Sequence, residues 1–181
     1  MKHLKNQPIK AIDVVPSDTI NIPEPGSYAT GTNAQIGSGL LILDLTANFQ
    51  GVSNPGNTGV SNKVSIGDVV YVTDALGVIT ARTVVAVNSN TQLTLSGSVA
   101  GTPATYAIYK SNGGVQPQPV AGHEGYSLYV GGTGGGNVSV VPASSSDTVV
   151  LQNVAAGSFI PLQVTRVNST GTTASGILAL E

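Results

Sequence analysis

Residues able to do chemistry are few in this chain, and their spacing suits little of it. The only histidines are His3 and His123, and there is no cysteine. A zinc site needs three or four nitrogen or sulfur ligands at set spacing, so no metal is expected. The missing thiols also exclude disulfides. In a serine hydrolase His123 would have to serve as the base, yet no Gly-x-Ser-x-Gly elbow occurs. Glu124, directly after it, would point to the opposite face of a strand. Among nine carboxylates, Asp18, Asp74 and Asp147 each neighbour Ser, Thr or Gly, where an acid caps its own turn. Asp44 and Asp68 could act as an acid–base pair only if the fold brought them together, which spacing leaves open. Gly131–Gly136 lacks both the register of a phosphate loop and a helix to follow it, so it reads as a flexible hairpin tip. Tyr106, Tyr109, Tyr126 and Tyr129 could stack a sugar or a base. Tyr126 and Tyr129 are three apart and face opposite sides of a regular strand, which makes them core and interface residues. The expectation is a protein that is not an enzyme and holds no cofactor.

The elements that must carry these residues are strands. Hydrophobic residues make up 40% of the 181, but there is no Trp and there are two Phe. The core must therefore come from Val, Ile, Leu and Ala, which favours pleated, half-buried surfaces. Only 9% of residues are charged, against roughly 25% in an average domain. A surface of Ser, Thr, Asn and Gly does little to keep copies apart and suits a subunit of an assembly. Lys2, Lys5 and Lys10 cluster near the N-terminus as a solvated arm, and the net charge of −2 provides no field for nucleic acid. No apolar run forms a secretory signal or reaches the ~20 residues of a membrane span. A soluble protein made in a cytoplasm is expected.

Gly (23) and Pro (10) cut the chain into short β-type runs. Residues 11–23 read as two extended pieces around a Pro16-Ser17-Asp18 turn. Strands are expected within 38–49, 63–73, 79–88, 91–95 and 105–110, enough for a small barrel. Residues 111–122, rich in Pro, Gly and Gln, read as a linker. Further strands are expected at 126–130, 137–141, 148–154, 159–167 and 177–180.

Val15–Pro23 and Leu128–Leu180 together resemble the spike-base and head-decoration proteins of tailed phages and gene-transfer agents. The matching residues are Pro16-Ser17-Asp18, Leu128-Tyr129-Val130-Gly131, Val138-Ser139-Val140, Val154-Ala155-Ala156-Gly157, Ile160-Pro161-Leu162, Arg166-Val167 and Thr170-Gly171-Thr172-Thr173-Ala174. The chain departs from the family at Ala155, where Pro is common, and in a longer glycine turn at Gly134–Gly136. In the family the first element runs almost directly into the second, so the resemblance implies an inserted domain here. The expected architecture is all-β: a β-sandwich-like base domain from 1–27 and 123–181, and an inserted small β-barrel at 28–110.

The resemblance implies a virion structural protein on the head surface that binds the major capsid protein and itself. A trimer or pentamer would match the capsid axes. No nucleic-acid or membrane partner is expected. The docking strands would present Pro16, Ser17, Asp18, Leu128, Tyr129, Val130, Ile160, Leu162, Val164 and Arg166. A tail, baseplate or glycan-binding module, with the barrel as binder, is the alternative.

Overall fold

The computed structural model describes residues 10–37, 41–51, 64–99, 104–111 and 125–181. All of its regular elements are strands: β1 (Ala11–Asp13), β2 (Ala29–Gly37), β3 (Leu41–Leu43), β4 (Val69–Thr73), β5 (Ile79–Ser89) and β6 (Gln92–Leu95). They continue as β7 (Ala104–Tyr109), β8 (Tyr126–Val130), β9 (Gly136–Pro142), β10 (Val149–Val154), β11 (Ser158–Val167) and β12 (Ile177–Leu180). The chain is all-β. It divides into two compact units, one of Met1–Pro25 with Gln116–Glu181 and one of Gly26–Val115.

The first unit is a six-stranded sheet in the order β1-β12-β8-β11-β9-β10. Its N-terminal strand pairs with its last one, Ile12 opposite Ala179. Alternation explains how it packs. Tyr126, Leu128 and Val130 of β8 face inward and are buried, while Ser127 and Tyr129 face out. Ala179 and Ile160 sit opposite Leu128, so one apolar row crosses three strands. The Tyr126 hydroxyl meets the Pro23 carbonyl at 3.2 Å, which gives this buried phenol a partner. The ten-residue β11 joins two neighbours within the sheet. Its first half pairs with β8 and its second with β9, and the register shifts on either side of Val164. Such irregularities let one strand serve two layers.

The second unit is a closed barrel in the order β2-β3-β6-β5-β4-β7. Two long strands close it, each pairing with different neighbours along its length. The strand β2 pairs with β7 and then β3, while β5 pairs with β4 and then β6. Val85, at the β5 bulge, is half exposed. Ile42, Val70, Val84, Leu93 and Ile108 fill the interior with Phe49 and Tyr106. Phe49 and Tyr106 meet tilted, with ring centroids 5.9 Å apart.

Two local expectations change. Among the described residues of the stretch 38–49 the strand is Leu41–Leu43 alone, because Asp44 takes both the amide and the hydroxyl of Thr46 and turns the chain. The nine-residue β2 has no apolar alternation to announce it. Its pairing with β3 and β7 and the buried Ala34 set its place. His3, His123, Glu124 and most of the 111–122 stretch lie outside the described residues.

Removing the inner-face side chain at Leu128 tests the packing of the first unit. Leu128→Ala should cost about 2–5 kcal/mol, as cavity-forming core substitutions do. Amide hydrogen exchange should report that loss in β8, β11 and β12.

Candidate functional site

Two of the segments matched by the resemblance, Pro16-Ser17-Asp18 and Thr170-Gly171-Thr172-Thr173-Ala174, meet at one junction in the first unit. Asp18 projects from the N-terminal element, and its carboxylate accepts two hydrogen bonds from Thr170, one from the amide at 2.9 Å and one from the hydroxyl at 2.8 Å. The partners are 152 residues apart in sequence. The Ser17 hydroxyl oxygen meanwhile accepts the Ile20 amide at 3.2 Å and shapes the local turn. The Ser17 and Ile22 amides donate to the Val167 and Thr165 carbonyls, both at 2.9 Å. The N-terminal element is thus tied along its length to the C-terminal one.

Threonines extend the junction where β11 parts from β9. The Thr172 hydroxyl oxygen accepts the Ser139 amide at 2.9 Å, and that of Thr173 accepts the Asn137 amide at 2.8 Å. In return the amides of Thr173 and Ala174 donate to the Asn137 carbonyl. This loop stands in for a strand along the first half of β9 and satisfies backbone groups that β11 leaves. Asn168 is buried beneath it. Its amide nitrogen donates to the hydroxyls of Ser139 and Thr148, and its oxygen accepts from Arg166 Nε at 2.9 Å. Every buried polar side-chain atom among the described residues has a partner, as a dry network requires.

The glycine run 131–136 belongs to this packing, which corrects its reading as only a flexible tip. A Cβ on Gly132 would collide with Ser175, and one on Gly135 with the Val154 carbonyl. These glycines allow backbones to approach one another closely.

Burial also corrects the docking set. Leu128, Val130, Ile160 and Val164 are core side chains of their own unit and offer nothing to a partner. Both Asp18 carboxylate oxygens accept internal bonds from Thr170, and Arg166 donates its Nε to Asn168. What remains outside is a row on the opposite face. Phe159 and Leu178 both lie opposite Tyr129, so the three side chains form neighbours across β11, β8 and β12. Phe159 is 57% exposed and Tyr129 37%, and Leu162 of β11 is exposed as well. Sequence reasoning finds Tyr129 and Leu162 but misses Phe159 and Leu178. The strand period applied to Tyr129 and its pairing partners would have found both.

The barrel holds its own polar sites. Asp68, buried, accepts the Tyr28 hydroxyl, the Ser65 amide at 2.7 Å and the Lys110 ammonium at 2.9 Å on one oxygen. Lys110 also lies 4.3 Å from the Tyr28 ring centroid, a cation–π geometry. Tyr28 and Lys110 stand near the two ends of the barrel segment, so one carboxylate clasps both ends. Burial, followed by the bond to Asp68, pushes the Tyr28 phenol far above its ordinary pKa. Asp44 accepts the Tyr106 hydroxyl at 2.8 Å, and burial again raises the tyrosine. Burial also pushes Asp44 upward, but the Thr46 and Tyr106 donors outweigh it and hold the acid low. Each carboxylate has its own set of donors, which suits architectural acids better than an acid–base pair. Asp74 caps its own turn, accepting the Leu76 and Val78 amides at 2.8 and 2.9 Å. No group of three metal-ligating side chains forms among the described residues.

The Asp18 junction has a pH signature. The Thr170 amide first, then its hydroxyl, hold the Asp18 carboxyl below its ordinary value of 3.8. A depressed acid contributes its stability above the unfolded value and loses it as pH falls through the folded one. The difference in Tm between wild type and Asp18→Asn should therefore be full at about pH 6 and close at pH values below 3.8. A thermal-melt series across that range checks it. Compared with known proteins, the chain matches no protein-family model, no curated protein and no solved structure.

Proposed function

We propose that this protein is a non-enzymatic structural subunit of a tailed-phage virion, a decoration or spike-base protein that binds the major capsid protein on the head surface. The observation that carries this reading is the junction. Residues quoted for the resemblance, from Pro16-Ser17-Asp18 to Thr170-Gly171-Thr172-Thr173, form one hydrogen-bonded unit although 152 residues separate Asp18 from Thr170.

The outward row of Tyr129, Phe159 and Leu178 suits the docking role. Exposed aromatics on a rigid sheet give large contact area at low entropic cost. Binding only the assembled shell would stabilise it by linkage, with no chemical step. Self-association on the shell, in trimers or pentamers, belongs to the same proposal. One observation favours a receptor or baseplate role for the barrel: Leu76, 89% exposed, is held out at the β4–β5 tip by Asp74.

Heads purified from the particle should contain this protein in many copies, well above the level of portal or tail components. Phe159→Asp should abolish its addition to heads that lack it while leaving its melting temperature within a few degrees of wild type. Recovery in tail fractions alone would contradict the head location, and full head binding by Phe159→Asp would contradict the docking face.

A further inference from the structure

The base sheet has two outer strands, and they are built differently. β1 is three residues long, includes Asp13 and has Pro16 just beyond it. Beside it Lys10 pairs with Glu181 at 3.8 Å. Short length, charge and a nearby proline are the means by which natural sheets close an edge. β10 is longer and holds neither a charge nor a proline, Asp147 standing two residues before it. It is six residues long, and among the described residues β9 is its one partner strand. No charged residue occurs between Asp147 and Arg166, and no proline between Pro142 and Pro161. Val149 and Val150, on opposite faces, are 40% and 45% exposed.

An outer strand carries backbone N–H and C=O groups directed away from its sheet, and the group that matches their spacing is another extended backbone. We propose that β10 pairs antiparallel with the β10 of a second copy, about a two-fold axis through Val150. In that register Val150 faces its counterpart, Val149 faces Leu151 and Thr148 faces Gln152. Every pair is uncharged, so the copies meet without the like-charge repulsion that opposes most self-pairing. The added strand would cover both half-exposed valines.

The fold limits the contact to this window. Pairing of β10 with β9 is regular from Val149 to Leu151 and shifts before Val154. There Asn153 takes a left-handed φ of 53° and donates its amide to Asn137 Oδ1 at 3.1 Å. The bend carries the rest of the strand off the line of a partner. At the other end Asn168 donates to the Thr148 hydroxyl at 3.2 Å and holds the start of the strand in place. Five residues a side form a reversible contact, which gains strength when many copies are held close together. The pairing is two-fold and isologous, unlike a three- or five-fold ring, and it does not depend on where the protein resides.

Sedimentation velocity of the full chain, from about 1 μM to about 1 mM, tests the proposal. The mass should rise from 18.1 kDa towards twice that value with concentration. Val149→Lys and Val150→Lys, which put a charge on either face of the edge, should each raise the dissociation constant roughly tenfold or more. In the unaltered chain, amide exchange of residues 148–152 should slow at the high end of the series. A monomer at every concentration overturns the proposal, as does an oligomer of any order insensitive to both lysines. If a lysine variant fails to fold, the exchange measurement decides, and rates independent of concentration overturn it.

Discussion

A carboxylate near one end of the chain accepts both hydrogen-bonding groups of a threonine near the other, and the first unit is organised around that bond. Asp18 and Thr170 can meet only if the N-terminal element lies along the end of β11. Once it does, β1 is placed beside β12, Ile12 enters the core and the Pro23 carbonyl reaches the buried Tyr126 hydroxyl. Closing so long a loop costs entropy, but the cost grows only with the logarithm of length. A whole domain can therefore be accommodated between the two ends. The barrel segment suits such an insertion, because Asp68 clasps Tyr28 and Lys110 near its own two ends.

Low charge shapes both units in the same way. With few acids and bases available, hydroxyls and carboxamides satisfy the backbone wherever strands diverge. Thr172 and Thr173 serve β9, Asn137 serves the Asn153 amide, and Ser17 serves its own turn. Asp18, Asp44 and Asp68 accept two or more donors each. Charge is used here for fixing geometry, and the outer face of the base sheet carries Tyr129, Phe159 and Leu178 beside Ser127.

Much of this is legible from residue order. The period-two pattern of Tyr126-Ser127-Leu128-Tyr129-Val130 gives both a strand and its buried face, and Ile177–Leu180 reads equally plainly. All-β character follows from a core without long helical stripes. The length of β2 is not legible, because a polar, glycine-containing segment becomes a strand only through its neighbours. Nor is the early end of β3, where a single Asp44–Thr46 pair outcompetes extension. The strands expected to dock are legible as strands but their faces are not assigned, so inward Leu128 and Val130 stand beside outward Tyr129 in the expected set. Asp18 shows the limit most clearly. Its local context suggests a turn cap, and nothing within ten residues of it points to Thr170; only the resemblance places both segments in one module.

The central claim is that the two ends of the chain form one cooperative unit. Site-resolved amide hydrogen exchange on the intact protein tests it directly. The amides of Val14, Ser17 and Ile22 donate to Ile177, Val167 and Thr165, and they should open with the same free energy as those of β8, β11 and β12. Exchange at these N-terminal amides orders of magnitude faster than in the C-terminal strands would show that the element merely rests on a module that folds without it.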